Sequence, residues 1–309
     1  MSTSPENGDP TTMMTFDTMG TTVSLVIRGR YDDGGGGGPG TLDRIKKIFD
    51  DADSRYSLYR PQSELSRIAS GRLRLSQASV ELRQMYELAI SWRNTTQGAF
   101  TPHRGDGTID LSGVVKGWAI AQAGEVLASA GLDNWCINAG GDVLASGTSR
   151  TGPWTVGIVD PADRTALLAS VHVPGHLGAV ATSGSAERGD HIWTQTAAGS
   201  RPFLQVTVLT ADIITADALA TAIIAGGRGT LDLATSGWPV EVFAVERNGA
   251  LLATPGFRRI LTTVPILEAH PDGGRQRRSR TDVQTLEEVC AYDRGHGSAR
   301  VLRPLWDNL

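Results

Sequence analysis

Cysteine, long apolar runs and an excess of one charge are all scarce in this sequence. Its 309 residues include only two cysteines, Cys136 and Cys290, too few for a disulfide framework or a thiolate zinc site. No stretch approaches the roughly 18–20 apolar residues that a membrane-spanning helix needs. The formal net charge of −4 offers no broad basic surface for nucleic acid or an anionic membrane. With 40% hydrophobic and 20% charged residues, the composition is that of an ordinary soluble globular protein.

The two ends of the chain differ from its middle. Residues 1–12 are polar, with no basic start and no apolar core, so we expect a flexible N-terminus, no signal peptide and a cytoplasmic location. Residues 272–280 (DGGRQRRSR) are polar and basic, and the closing stretch has no clear period. We therefore expect residues 265–309 to form a polar, partly disordered tail, which leaves residues 13–264 as the folded domain.

Hydrophobic periodicity predicts a mixture of helices and strands. Helices are predicted from Thr41, with Thr41 as N-cap, and over residues 79–95, 115–130 and 215–225, the last ending at Gly226-Gly227. Strands are predicted at residues 22–28, 135–138, 154–159, 167–173, 177–181 and 204–209, and a hairpin at 240–253. Because strict βαβ alternation is missing, the pattern indicates an α+β fold with mixed or antiparallel sheets and packed helices.

Two glycine-bearing segments suit close approach of a ligand. Residues 109–117 (IDLSGVVKG) place a glycine just before a predicted helix, between Asp110 and Lys116. Such a turn can present backbone N–H groups to phosphates, although a tight turn with surface Asp and Lys is an equally good interpretation. Gly140-Gly141 follow a predicted strand, where a simple β-bulge is the better explanation when the pair is taken alone.

Asp217 and Thr221 lie one turn apart on the predicted helix at 215–225, so their oxygens face the same side. A carboxylate and a hydroxyl in this arrangement make a partial cage for Mg²⁺, which phosphate and water complete. The alternative is that Asp217 only favours the helix N-terminus through the helix dipole and that Thr221 fills the core.

Eight short motifs, taken in order, resemble the FAD:protein FMN transferase (ApbE) family over residues 16–227. They are Met19-Gly20-Thr21, Ser57…Tyr59…Ser63-Glu64-Leu65, Gly98-Ala99-Phe100, residues 109–117, residues 138–142, Ala181-Thr182-Ser183-Gly184, His191-Ile192 and residues 216–221. The resemblance implies an ApbE-like, T-fold-like domain that binds FAD and Mg²⁺ in a cleft. It also implies transfer of FMN, through a phosphoester bond, to a Thr or Ser of a target flavoprotein with release of AMP.

The resemblance further implies roles for single residues. Asp217 and Thr221 would bind Mg²⁺ through their side chains and Gly113 through its carbonyl, while His191 would be the base for the accepting hydroxyl. The residues that fall where the family contacts FAD are Met19, Tyr59, Ala99, Phe100, Thr101, Asp110, Lys116 and Trp193.

The sequence departs from the family pattern around the flavin and the acceptor. Thr101 stands where the family usually has Asp, Thr194-Gln195 replace Asp-Pro, and Ala69 and Ala121 replace an Asn and an Asp. Only residues 103–109 separate Pro102 from Asp110, where many members have several dozen residues. These changes spare Asp217 and Thr221.

Two other functions stay open. An FAD pyrophosphatase would use water in place of the protein hydroxyl, giving FMN and AMP. A non-catalytic FAD-binding protein would keep the cleft, but it would have little need of a metal ion bound by Asp217 and Thr221. A generic nucleotide enzyme is disfavoured because the sequence has no Walker or dinucleotide fingerprint. Neither the acceptor nor the oligomeric state follows from the sequence, and no nucleic acid or membrane insertion is expected.

Overall fold

The computed structural model describes residues 10–31, 40–184 and 202–263. The helices are α1 (Thr41–Tyr56), α2 (Glu64–Ala69), α3 (Val80–Thr95), α4 (Ser112–Ser129), α5 (Ile213–Gly237) and α6 (Pro255–Ile260). The strands are β1 (Thr11–Thr18), β2 (Thr21–Arg28), β3 (Trp135–Ala139), β4 (Asp142–Ser146), β5 (Trp154–Val159), β6 (Leu167–Val173), β7 (Ala179–Gly184), β8 (Phe203–Thr210), β9 (Glu241–Glu246), β10 (Leu251–Ala253) and β11 (Leu261–Thr263).

The strands form two sheets. The larger has eight strands in the order β1-β2-β3-β4-β7-β8-β9-β10, and the smaller has three in the order β11-β6-β5. Every pairing within the described ranges is antiparallel. The predicted α+β class is therefore confirmed, and of the two sheet types expected the antiparallel one is present.

The eight-stranded sheet separates two hydrophobic cores, because successive side chains of a strand point to opposite faces. In β3, Trp135, Ile137 and Ala139 join the larger core, which α1, α3, α4 and α5 complete. Cys136, between them, joins the smaller core, in which β5 and β6 contribute Trp154 and their other inward residues. The fold thus has three layers, with α1, α3, α4 and α5 on one face of the large sheet and the small sheet with α6 on the other.

The predicted elements are largely confirmed, and their ends are the main corrections. The strands β5 and β6 have the predicted bounds. Helix α1 is capped by Gly40 (φ 86°) and not by Thr41, which is its first residue. Helix α4 begins at Ser112, so Gly113 lies inside its first turn and not before it. The first strand begins at Thr11, within the segment expected to be flexible.

Helix α5 extends well past the predicted end at Ala225. Gly227 has non-helical backbone angles (φ 70°, ψ −148°), so the glycine pair does break the helix, but a second helical stretch follows directly and reaches Gly237. Among the described helices, none is long and apolar enough to cross a membrane. The expected tail at 265–309 lies outside the described residues.

Candidate active site

A cleft of about 490 Å³ opens on the helical side of the large sheet, within the size range of small-molecule sites. Its walls come from the β1–β2 turn, the end of α1 with the loop that follows, and the start of α4. Four of the residues expected to contact FAD line it: Met19, Tyr59, Asp110 and Lys116. Arg60, Arg104 and Asp53, which sequence reasoning missed, line it as well.

The β1–β2 connection is a tight turn of two residues. Thr18 pairs with Thr21, and between them Met19 and Gly20 both have positive φ, 48° and 67°. These angles are those of a type I′ turn, which fits the twist of a β-hairpin but disfavours a side chain such as that of methionine. The strained Met19 therefore sits where the hairpin meets the cleft, which is where strain and function often coincide.

The loop after α1 forms a second wall. Ser63 Oγ and Ser66 Oγ both donate to the Ser57 carbonyl, at 2.5 and 3.0 Å, which ties the loop to the start of α2. Asp53 is buried at the end of α1 and accepts from Arg60 Nε at 2.6 Å. Tyr59 is 80% exposed at the rim, so its ring is available for stacking on a planar ligand.

In the third wall, just before α4, Arg104 pairs with Asp110 through two hydrogen bonds to a single carboxylate oxygen. Arg104 Nε and Nη2 both donate to Asp110 Oδ2, at 3.0 and 2.7 Å, and Asp110 Oδ1 accepts from Ser112 N at 3.0 Å. Burial acts to raise the pKa of Asp110, but the Ser112 N–H and the Arg104 guanidinium outweigh it and hold the pKa below its ordinary value. Asp110 is therefore an ionised acceptor in the cleft.

Lys116, one turn into α4, is paired with Asp142. Its ammonium lies 2.6 Å from Asp142 Oδ2, and the two side chains are 10% and 0% exposed. The contact is an ion pair, and Asp142 Oδ1 accepts from Thr182 N at 3.2 Å. The Gly140-Gly141 turn (φ 62° and 95°) pairs Ala139 with Asp142, so this motif is a tight hairpin turn that delivers a buried carboxylate.

The three predicted metal ligands, Gly113, Asp217 and Thr221, do not line the cleft, but Asp217 on α5 contacts α4 next to Lys116. Asp217 is 4% exposed and its Oδ2 accepts from Gly117 N at 3.3 Å. Thr221 Oγ1 lies 3.2 Å from Ser183 Oγ. Asp212, not Asp217, caps the helix, since its side chain accepts from Thr215 N at 2.8 Å. Helix α5 begins at Ile213 and has no acidic residue in its first turn, so Asp217 lies beyond the turn in which the helix dipole favours a carboxylate.

A divalent cation fits this donor set only with help from a substrate. One carboxylate, one hydroxyl and one carbonyl, from Asp217, Thr221 and Gly113, are hard oxygen ligands of the kind that Mg²⁺ uses beside phosphate and water. Over residues 10–31, 40–184 and 202–263, no group of three or more His, Cys, Asp or Glu could hold a metal ion by itself. The chemistry thus suits a metal that binds together with phosphate.

The other residues expected to contact FAD, and the predicted base His191, do not line the cleft or lie outside the described ranges. Ala99, Phe100 and Thr101 are not among the cleft-lining residues. Phe100 is 2% exposed, and its ring lies 2.7 Å from where a Cβ on Gly113 would stand. His191 and Trp193 lie outside the described residues, so their roles stay predictions.

Known proteins resemble both the sequence and the fold. A FAD:protein FMN transferase from Vibrio cholerae is 33% identical over 133 residues, a match that spans 39% of this chain and 39% of the relative. The structure of flavin transferase ApbE from Vibrio cholerae superposes with a TM-score of 0.65 at 21% identity, covering 82% of this chain and 100% of that one. The ApbE protein of Thermotoga maritima gives 0.67 at 21% identity, covering 81% and 99%.

The sequence pattern of the ApbE family matches residues 19–107 and 102–244, which is most of the described chain. The match includes the cleft-lining residues and, on α5, Asp217 and Thr221. The ApbE-like architecture expected from the ordered motifs is confirmed by the structural neighbours. This chain belongs to the ApbE family.

Proposed function

We propose that the protein is a Mg²⁺-dependent FAD:protein FMN transferase. The hydroxyl oxygen of a Thr or Ser on a target flavoprotein attacks the FMN phosphorus of FAD. A new phosphoester P–O bond forms, the P–O bond to AMP breaks, the hydroxyl proton passes to a base, and AMP leaves. We propose the cytoplasm as the site of this reaction.

The observation that carries the proposal is that the cleft and the carboxylate of Asp217 meet at neighbouring residues of α4. Lys116 lines the cleft, while the N–H of the next residue, Gly117, donates to Asp217 on α5. A diphosphate bound in the cleft would therefore lie near the buried ammonium of Lys116 and near the buried carboxylate of Asp217, which could bind a metal ion. Phosphoryl transfer needs this neutralisation of charge and an in-line nucleophile more than covalent help.

The chain's own groups have distinct tasks in this proposal. Lys116 neutralises the charge of the phosphates, and Tyr59 stacks on a ring of FAD. Asp110 accepts a hydrogen bond from FAD. Gly113, Asp217 and Thr221 would hold Mg²⁺, which when bound polarises the phosphate oxygens and steadies the leaving group. His191 is the proposed base, because a histidine near neutral pKa can take the hydroxyl proton.

One assay separates this function from its rivals. The full chain is incubated with FAD, Mg²⁺ and an acceptor that carries a flavinylation segment, then run on a denaturing gel. Fluorescence on the acceptor band supports transfer. Free FMN and AMP without a labelled acceptor would instead indicate the pyrophosphatase, and bound FAD without either product would indicate a binding protein.

The metal assignment is tested with Asp217→Asn, which keeps the side-chain shape. We expect transfer to fall by at least about a hundredfold and Mn²⁺ binding in the presence of FAD to weaken, since a carboxylate ligand is lost. Asp232→Asn is the matched control, because Asp232 lies exposed on the same helix. Unchanged metal binding in Asp217→Asn would refute the assignment.

A further inference from the structure

The shortened segment between Pro102 and Asp110 folds into a tight hairpin. Arg104 N donates to Thr108 O at 2.9 Å, and Asp110 N donates to Pro102 O at 2.7 Å. Gly107, with φ +83°, closes the turn, and its N–H donates to Arg104 O at 2.9 Å. The backbone that carries Arg104 and Asp110 is therefore fixed by its own hydrogen bonds.

The side chains of this pair are also fixed. The fork from Arg104 holds one oxygen of Asp110, while the start of α4 holds the other through Ser112 N. The side chains of Arg104 and Asp110 are 21% and 14% exposed, so water screens the pair less than it screens a surface ion pair. Rotation of the carboxylate would break donors on both oxygens, which gives Asp110 a single orientation in the cleft.

We infer that Arg104 is a positioning residue of the FAD site: it orients Asp110 as an acceptor and balances its charge beside the substrate diphosphate. The inference rests on the proposed function. FAD offers donors that a fixed carboxylate can recognise, namely the adenine amino group, the sugar and ribityl hydroxyls and the flavin imide N–H. An unpaired carboxylate in the same cleft would repel the doubly negative diphosphate.

Lysine cannot reproduce this fork, because it has one compact ammonium in place of the planar guanidinium. In Arg104→Lys we expect the FAD dissociation constant and KM to rise about tenfold, with kcat changed little. Asp110→Asn should weaken FAD binding similarly. Because Arg104 acts through Asp110, the double variant should bind FAD no more weakly than the poorer single variant.

The measurements are FAD titrations and AMP-release kinetics on the full chain, with thermal unfolding of each variant followed in parallel. Arg74→Lys is the matched control, since exposed Arg74 bonds Gln77 outside the cleft and should bind FAD as the unmodified chain does. If Arg104→Lys unfolds, Arg104→Gln and Asp110→Asn give the comparison at lower temperature.

Three outcomes would overturn the inference. FAD affinity in a folded Arg104→Lys equal to that of the unmodified chain would show that the fork is not used. Additive losses in the double variant would show that Arg104 acts on the ligand independently of Asp110. A failure of the unmodified chain to bind FAD would overturn the proposed function itself, and the inference with it.

Discussion

At the scale of single residues, Met19 in the cleft wall has a left-handed backbone conformation that a residue with a side chain disfavours. Met19 has φ 48°, and the cost of a left-handed residue with a Cβ is about 1–2 kcal/mol. A type I′ turn favours Asn at this position. The position of Met19 in the cleft wall gives a reason for the methionine to be retained at that cost.

Met19→Asn should therefore raise the free energy of unfolding by about 0.5–1 kcal/mol and weaken FAD binding, because apolar surface is lost from the cleft. Urea unfolding and FAD titration check the two effects. Gln97→Asn is the control, since Gln97 also has positive φ (55°) but does not line the cleft. A loss of stability in Met19→Asn would contradict the strain argument.

His103 makes stability depend on pH. Burial, with a smaller effect of Arg93, lowers the pKa of His103 below its usual 6.5, and Tyr86 Oη lies 3.1 Å from its Nε2. As pH falls below about 6.5, the unfolded chain takes up a proton that the folded chain does not, so stability declines until the folded pKa is reached.

His103→Gln should flatten this decline while keeping a polar partner for Tyr86. The free energy of unfolding, measured by urea between about pH 5 and 7, should fall less steeply in the variant than in the unmodified chain. Parallel curves for the two proteins would show that His103 contributes nothing to the pH dependence.

At the scale of elements, the close packing of α4 on α5 sets the position of Asp217. A Cβ on Gly117 would stand 3.1 Å from Ile214 Cα, 3.2 Å from Ile213 O and 3.4 Å from Asp217 Cβ. The glycine therefore lets the two helices approach until the Gly117 N–H reaches the Asp217 carboxylate. No side-chain motion could relieve a backbone contact of this kind.

Gly117→Ala should lower the free energy of unfolding by about 1–3 kcal/mol through overpacking, and should raise the Mg²⁺ concentration that transfer requires. Gly229→Ala on α5 is the matched control, because a Cβ there meets nothing within 4 Å. That substitution should instead stabilise by about 0.5–1 kcal/mol, as helix propensity dictates. Equal stabilities for the two variants would refute the close-packing argument.

The sequence predicts these elements well where one residue pattern has one structural outcome. The β-branched residues of segment 22–28 predict β2, and the spacing of Ile45, Phe49 and Ala52 predicts α1. Glycines are harder: Gly40 caps α1 where Thr41 was expected, and Gly227 breaks α5 without ending it. A glycine permits several conformations, and the tertiary contacts that select one are not visible in the local pattern.

The cleft shows the same limit. Motif order identifies Met19, Tyr59, Asp110 and Lys116, because each lies in a segment that resembles the family. Arg60 and Arg104 have no such signal, since an arginine in a polar loop is ordinarily a solvated surface residue. Their place in the cleft depends on partners, Asp53 and Asp110, that only the folded backbone brings near.

At the scale of the whole molecule, the pair of Lys116 and Asp142 ties three parts of the fold together: α4, the β3–β4 hairpin and, through Thr182 N, β7. Lys116→Met would leave the Asp142 carboxylate buried beside no cation, which should cost about 3–5 kcal/mol in stability. Adding Asp142→Asn should recover part of this loss.

Urea unfolding checks the effect. Lys47→Met is the control, because Lys47 pairs with Asp51 on the surface at 71% exposure and such pairs contribute at most about 1 kcal/mol. A Lys116→Met variant as stable as the control would show that Asp142 finds other compensation.

The ion pair of Lys116 and Asp142 also affects which residues would change if the protein lost its function. In a descendant that no longer met its substrate, selection for folding alone would retain the lysine and its aspartate, while the strained methionine of the hairpin turn would drift toward asparagine or glycine. The presence of Lys116 in a relative would then indicate only a shared fold. A methionine at position 19 would be the better indication that the relative is still active.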